Sequence, residues 1–473
     1  MKTLDFDTQP TKAKHVSDAA ITATVELFFL TEKGVPTHLI DVSTHAGIVR
    51  LTGITDNLLA RERAEEITLA VRSVRGVINE LLISTPDIPD EELNHYLATA
   101  LADDPVTTDY NVQATAADGV VTVTGMIQSW AEKQLVLRVL RGVRGVRHLN
   151  TDNLVIQWGE VQNSDEEITT QIRELLDWDI RVHSDLVEIR TNDKVVHLAG
   201  TVGSAAEKAQ VIATANQAGA SRVDARDLFV AHWALSSELR SHKYADRSDE
   251  DIATAMRDAF RYDPRVHSSQ PNIVVHNGIV TLSGSVNNLR SRQNAERDAR
   301  DVVGVWDVHN LLKVRTNRFI SDLNITHSIE QALARDPYVG FFDFSVYVRN
   351  GKAFLYGHVG SHFEQQEAGE VASGVNGVSD FENWVTVAAS PGFTVYEPKP
   401  NADFALAECI RIRLFWSPSL HNQLIEVLVE KGRATLTGTV ATWLDREQAA
   451  YDAYSAGARY VDNELMISPT SEL

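Results

Sequence analysis

The sequence predicts an α+β fold: six tandem αββαβ units, each with two helices packed on one face of a three-stranded sheet. Three observations carry this. A glycine closes a short alternating apolar segment at six places, Gly53, Gly125, Gly200, Gly284, Gly357 and Gly438, and self-similarity at a near-constant period marks a repeat architecture. Successive glycines lie 72 to 84 residues apart, so six units fill nearly all of the 473 residues. Pro105, Pro264, Pro337 and Pro418 each stand 20 residues before the glycine of their own unit, which fixes a common register. In the third unit Ile180 takes that position after Asp179, and in the first Pro36 lies only 17 residues before Gly53. Those two copies have diverged and are the ones expected to have changed role.

Within a unit the elements can be justified in order. Ahead of the proline, Ile252, Ala255, Met256, Ala259 and Phe260 fall at i, i+3, i+4, i+7 and i+8, an amphipathic helix. Ser248 is its natural N-cap, as Ser17, Ser164 and Ser321 are in their units. The proline ends the helix because it has no N–H to donate and disfavours helical geometry in the residue before it. Two strands follow, typified by 273–275 and 279–283, joined by the tight-turn signal His276-Asn277-Gly278. A second helix opens with a capping box, Ser129 with Glu132, Ser204 with Glu207 and Ser361 with Glu364. Its apolar stripe is small: Ala205, Ala209, Ile212 and Ala213 in the third unit, Ala295, Ala299, Val302 and Val303 in the fourth. Gly284 shares a strand face with Val280, Leu282 and Val286, so the six motif glycines are expected to make room for this helix. A closing glycine such as Gly304, Gly377 or Gly457 then leads to the third strand.

The units are expected at 16–84, 89–158, 163–230, 247–316, 320–389 and 401–469, with a tail at 1–15 and linkers at 231–246 and 390–400. The linkers contain Trp, Phe and Tyr, which leaves a packed role open to them. About 70 residues is near the lower limit for independent stability, so neighbouring units are expected to lean on one another.

The αββαβ order, the run Gly278-Ile279-Val280-Thr281-Leu282-Ser283-Gly284 and the Gly-Val-x-x-Val-x-Asn run from Gly304 to Asn310 resemble the BON domain, named for bacterial osmotic-stress and nodulation proteins. The resemblance covers six copies. It implies a non-enzymatic module associated with phospholipid or envelope binding and osmotic-shock protection, usually present in one or two copies behind a signal or lipoprotein sequence. One branch of the family is tied to cytoplasmic potassium sensing.

Composition narrows function. Lys and Arg number 44 against 65 Asp and Glu, a formal charge of −21, the wrong sign for nucleic acid and for an anionic membrane surface. With 43% hydrophobic residues the chain can build packed cores. The single cysteine, Cys409, rules out an intrachain disulfide and reads as a structural thiol. The first residues mix acids and polar groups where a signal peptide is apolar, and no apolar run reaches a membrane span, so a cytoplasmic location is expected, with a periplasmic or envelope-associated one as the family-based alternative.

No cofactor and no metal site is expected. His358 and His362 are four apart but straddle a strand-to-helix break, and no zinc-type ligand run is present. The acidic pairs Asp103-Asp104, Glu166-Glu167 and Glu65-Glu66 read as first-turn or exposed helix carboxylates, and there is no nucleophile elbow, P-loop or dinucleotide fingerprint. The chain is therefore not read as an enzyme. Trp130 and Trp443 follow the caps of second helices, with Leu289 and Phe363 in equivalent stretches, and these four form the candidate contact surface, open to two readings: packing against the neighbouring repeat, or contact with lipid or another subunit. Function is expected to be a structural or scaffolding array that self-associates as a homo-oligomer. The alternative is a phospholipid- or envelope-binding osmotic-stress protein or, further off, a cytoplasmic cation sensor.

Overall fold

A computed structural model describes residues 16–157, 163–236, 239, 243, 247–266, 269, 271–316, 319–387 and 402–468. The tail expected at 1–15, the linker at 390–400 and half of the linker at 231–246 lie outside these. The first unit comprises α1 (Asp18–Thr31), β1 (Ile40–His45), β2 (Ile48–Thr55), α2 (Leu58–Leu69) and β3 (Gly76–Ile83). The second comprises α3 (Asp90–Asp103), β4 (Asn111–Ala117), β5 (Val120–Ile127), α4 (Trp130–Arg141) and β6 (His148–Ile156). The third comprises α5 (Asp165–Trp178), β7 (Val187–Asn192), β8 (Val195–Val202), α6 (Ala205–Gln217) and β9 (Arg222–Val230). The fourth comprises α7 (Asp249–Tyr262), β10 (Asn272–His276), β11 (Ile279–Ser283), β12 (Ser285–Val286), α8 (Leu289–Arg300), β13 (Asp307–Asn310) and β14 (Lys313–Val314). The fifth comprises α9 (Asp322–Arg335), β15 (Phe344–Arg349), β16 (Lys352–Val359), α10 (His362–Ser373) and β17 (Asp380–Val387). The sixth comprises α11 (Ala402–Trp416), β18 (Leu424–Glu430), β19 (Arg433–Val440), α12 (Trp443–Ser455), β20 (Tyr460–Asn463) and β21 (Met466–Ile467).

In every unit the second strand is central, antiparallel to the first and parallel to the third, as β2 is to β1 and β3. Its inward residues make the core: Val49 and Leu51, Val121 and Val123, Val280 and Leu282, Ala434 and Leu436 are all buried. A carboxylate at the start of the first helix fixes the hairpin. Asp249 accepts the N–H groups of Asn277 and Gly278 at 2.8 and 2.9 Å, and Asp18, Asp165, Asp322 and Asp403 hold the equivalent turns. These turn residues sit at positive φ, and the aspartate satisfies amides the ladder leaves free. The motif asparagine ties the third strand to the second helix: Asn310 Nδ2 donates to Arg292 O at 2.9 Å, and Asn79, Asn383 and Asn463 do the same in their units.

Three details differ from expectation. Four of the six motif glycines make room for a strand, not a helix. At φ +121° a Cβ on Gly438 would stand 2.0 Å from Leu424 O on the neighbouring chain segment, and Gly53, Gly125 and Gly200 meet the equivalent carbonyl at 2.0 to 2.2 Å. The positive φ turns the missing side chain sideways within the sheet. The glutamate of each second-helix box reaches one residue further back than a capping box: Glu132, Glu207 and Glu364 accept from Gln128, Gly203 and Gly360. In α6, Ala209 is exposed and the core stripe runs through Val211 and Ala215, with Glu207 buried, because alanines do not mark which face is inward.

The six units pair in nested order. Arg72 N donates to Trp416 O at 2.7 Å, joining first and sixth units; Arg144 N donates to Arg335 O at 2.9 Å, joining second and fifth; Val303 N donates to Trp178 O at 3.0 Å, joining third and fourth. In each case the donor precedes the left-handed residue that closes a second helix (Ser73, Gly145, Gly304), and the acceptor ends a first helix. The middle pair repeats the bond in the opposite sense, from Asn376 N to Asp103 O at 2.7 Å, as a two-fold relation requires. Each pair also touches the other two. Arg63 lies 4.0 Å from the Phe363 ring centroid, Arg290 pairs with Asp104 at 3.0 Å, and Arg300 pairs with Glu447 at 3.3 Å. Six units thus close on themselves as three pairs, with second helices in the seams and sheets outward.

Candidate functional site: the seams between repeats

The seams are built from charged groups, because second helices whose apolar stripe faces their own sheet turn a polar face to their neighbours. Between the first and sixth units Glu32, which ends α1, is buried and receives Arg413 at 2.8 Å, Arg63 at 2.9 Å and the Tyr451 hydroxyl at 3.0 Å. Arg413 also lies 4.6 Å from the Phe28 ring. Between the second and fifth, Arg335 pairs with Asp103 at 2.9 Å.

Where the second, third and fourth units meet, the seams open into a cavity of about 360 Å³ lined by Trp130, Trp178 and Tyr262 together with arginines and aspartates. Two of its ion pairs come from the turn after a first helix. Arg181 grips both oxygens of Asp179 at 2.8 Å, and Arg265 grips Asp263 at 2.6 to 2.9 Å. Burial, then the nearby Asp263 carboxylate, push Asp298 well above its ordinary value. Burial also raises Asp301 to about 6, even though Arg181 stands 3.2 Å away. Burial and the neighbouring guanidiniums of Arg265, Arg290 and Arg297 lower Arg138. The chemistry this supports is adhesion with a proton inventory. Among the described residues no group of three or more His, Cys, Asp or Glu side chains could hold a metal ion.

That inventory gives a pH dependence. Burial raises Asp452 to about 7 and Glu367 to about 8, the latter also through Asp336 and Glu370. Both hold protons the unfolded chain would release, so together they withdraw folding stability as pH rises from about 4 to about 8, more than the buried His421 imidazole, lowered to about 4, returns between about 4 and 6.5. Thermal melts across that range should show a declining midpoint, and Asp452→Asn, which removes one of these titrations, should flatten the decline. A midpoint that rises to pH 8 would contradict this.

The residues singled out in the sequence reach the seams by different routes. Trp130 lines the cavity. Leu289 is buried in the core of the fifth unit, as the equivalent Leu58 is in that of the second. Phe363 stacks edge-on with Tyr338 at 4.9 Å beneath Arg63. Trp443 lies 4.1 Å under Arg300 and donates its indole N–H to Glu447 at 3.0 Å. His362 stacks on Tyr454 at 3.8 Å, while His358 bonds Thr386 at 2.6 Å on the sheet. Asp103 and Asp104 are not exposed first-turn acids: they end α3 and bind Arg335 and Arg290 of two other units. Glu65 accepts from Asn79 at 3.0 Å, and Glu167 caps α5. Cys409 is half-buried in α11. Of the linker, His232–Leu235 forms a short helix with Ala234 buried, and the Lys243 ammonium is buried, donating to Leu176 O at 2.9 Å. Sequence reasoning missed the Asp-x-Arg clamps Asp179/Arg181 and Asp263/Arg265. Their signal was visible, since each spans the register position occupied by proline in most units.

The BON domain matches this chain at 17–85, 89–157, 164–227, 248–316, 321–389 and 402–469. Among relatives, the chain is 29% identical over 135 residues to the outer membrane lipoprotein DolP of Haemophilus influenzae, covering 28% of this chain and 69% of that one. It is 31% identical over 147 residues to the osmotically-inducible protein Y of Escherichia coli, covering 29% and 72%. Among solved structures, CdsD, a structural protein of the type III secretion system of Chlamydia trachomatis, matches with 14% identity over 48% of this chain and 94% of that one, at a TM-score of 0.13. No helix among the described residues is long and apolar enough to cross a membrane.

Proposed function

Since the chain belongs to the BON domain family, we propose that it is a non-enzymatic scaffold of the bacterial cell envelope, in which six units fold against one another and the outward sheets join one molecule to the next. One observation carries this reading: the same unit-to-unit bond is made three times in nested order. That consumes the helix surfaces and leaves the sheets. Trp130, Leu289, Phe363 and Trp443 serve seams within the chain, so association between chains falls to sheet faces bearing exposed apolar groups such as Leu424, Leu428 and Met466. Similarity to proteins named for the outer membrane and for osmotic induction supports an envelope location over the cytoplasm.

A second reading, phospholipid binding, is favoured by Phe319 and Leu323, which are 94% and 83% exposed where α9 begins. Mass photometry of the full chain at two concentrations, with and without vesicles, separates the two. The scaffold reading expects discrete multiples of 52.3 kDa that grow with concentration without lipid. A monomer that changes only when vesicles are added would overturn it in favour of lipid.

A further inference from the structure

The outward face of the fifth unit's sheet differs in kind from the other five. The pairing of β15, β16 and β17 places Tyr347 opposite Phe354 and Tyr356 opposite Trp384. All four point away from the helices, since the buried residues of these strands are Val348, Ala353, Leu355, Val359 and Val385. Four rings therefore share one open face. The corresponding central strands elsewhere present Arg50 and Thr52, Thr122 and Thr124, His197, Thr281, or Thr435 and Thr437. Tyr347, Tyr356 and Trp384 are 44% to 58% exposed, unusual for side chains that otherwise supply buried area.

The rings are held in place. Trp384 donates its indole N–H to Glu382 at 3.0 Å, and the Tyr347 and Phe354 centroids lie 6.0 Å apart. Lys352 stands 5.4 Å from the Phe354 centroid and is shared between Glu382 at 2.6 Å and Asp380 at 3.1 Å. Lys352 and the exposed Arg349, opposite each other in the β15–β16 pairing, balance Asp380 and Glu382, leaving a pre-organised aromatic surface of no net charge edged by hydroxyls and charged groups. Such a face suits a ligand that is flat, uncharged and rich in hydroxyls. Preformed geometry lowers the cost of binding it.

We infer that this face is a platform for a neutral, β-linked polysaccharide strand, whose pyranose rings stack on Tyr347, Tyr356 and Trp384 while its hydroxyls bond the flanking polar groups. A single-stranded nucleic acid also stacks on aromatic sheets, but it needs a basic groove along its backbone. Here Lys352 is already spent on two carboxylates and the whole chain carries −21. The inference is separate from the scaffold reading, whose association between chains it leaves to the sheets of the other five units.

Isothermal titration of the full chain with chitohexaose and with cellohexaose tests it. At least one should bind, with an affinity that changes little with salt. Trp384→Ala should weaken binding about tenfold or more, from the loss of one stacking contact. Trp384→Phe should restore most of it, and Tyr356→Ala provides an independent second variant. The inference is overturned if neither sugar binds at millimolar concentration, or if both variants bind as tightly as the parent. It is equally overturned if an oligothymidine binds in their place with strong salt dependence, or if Trp384→Ala abolishes self-association with no sugar bound.

Discussion

Arg413→Ala should open the seam between the first and last units and cost about 3–5 kcal/mol, the range for removing one partner of a buried ion pair. The magnitude follows from burial: the side chains of Arg413 and Glu32 are 5% and 4% exposed. Removing the guanidinium leaves Glu32 with Arg63 and Tyr451 but vacates the position 2.8 Å from its other oxygen and the space beside Phe28. Hydrogen exchange should show loss of protection concentrated in α1 and α11, with the second–fifth seam retained. Arg411→Ala two residues away is the control. Its partner Glu408 and Arg411 are both 47% exposed, and such pairs contribute about 0–1 kcal/mol. Equal destabilisation by the two substitutions would refute the assignment.

Gly438→Ala should destabilise the sixth unit by about 3 kcal/mol or more, combining a backbone conformation that L-residues avoid with a clash against main chain. The Cβ would fall 2.0 Å from Leu424 O, and a carbonyl held in a strand ladder cannot swing aside. Gly284→Ala provides a contrast at the same register. Its φ of +114° is similar, yet the nearest atom is 4.0 Å away, so only the conformational cost of about 1–3 kcal/mol applies. Denaturant unfolding of both variants should therefore rank Gly438→Ala well above Gly284→Ala. If instead the glycines served helix packing, the two would be alike.

The unit itself was legible in the sequence because its signals are local. Helix periodicity, the Ser248 cap, the Asn277-Gly278 turn and the proline in register each depend on residues a few positions apart. The role of Gly53, Gly125, Gly200 and Gly438 was not, because strand alternation assigns a face but cannot show a positive φ that turns Cβ into the plane of the sheet. The Asp249 clamp was missed for a related reason: its turn lies 28 and 29 residues downstream, beyond any helix or hairpin period. The seams were least legible. Arg413 and Glu32 are 381 residues apart, and a buried arginine looks like any surface arginine until the fold brings its partner to it. Trp130, Leu289, Phe363 and Trp443, read from the sequence as a candidate contact surface, lie against other repeats of the same chain, since large apolar groups beside a helix cap have to be covered by something. Which neighbour covers them depended on the order of pairing, which no single repeat encodes.

That order is the central claim, and a nick tests it directly. A protease site placed at 244–246 and cut in the folded chain separates units one to three from units four to six. Every pair has one member in each half, so the halves should stay together and elute at the mass of the intact 52.3 kDa chain. If the two halves separate under native conditions, the units are strung in sequence and the nested closure is wrong.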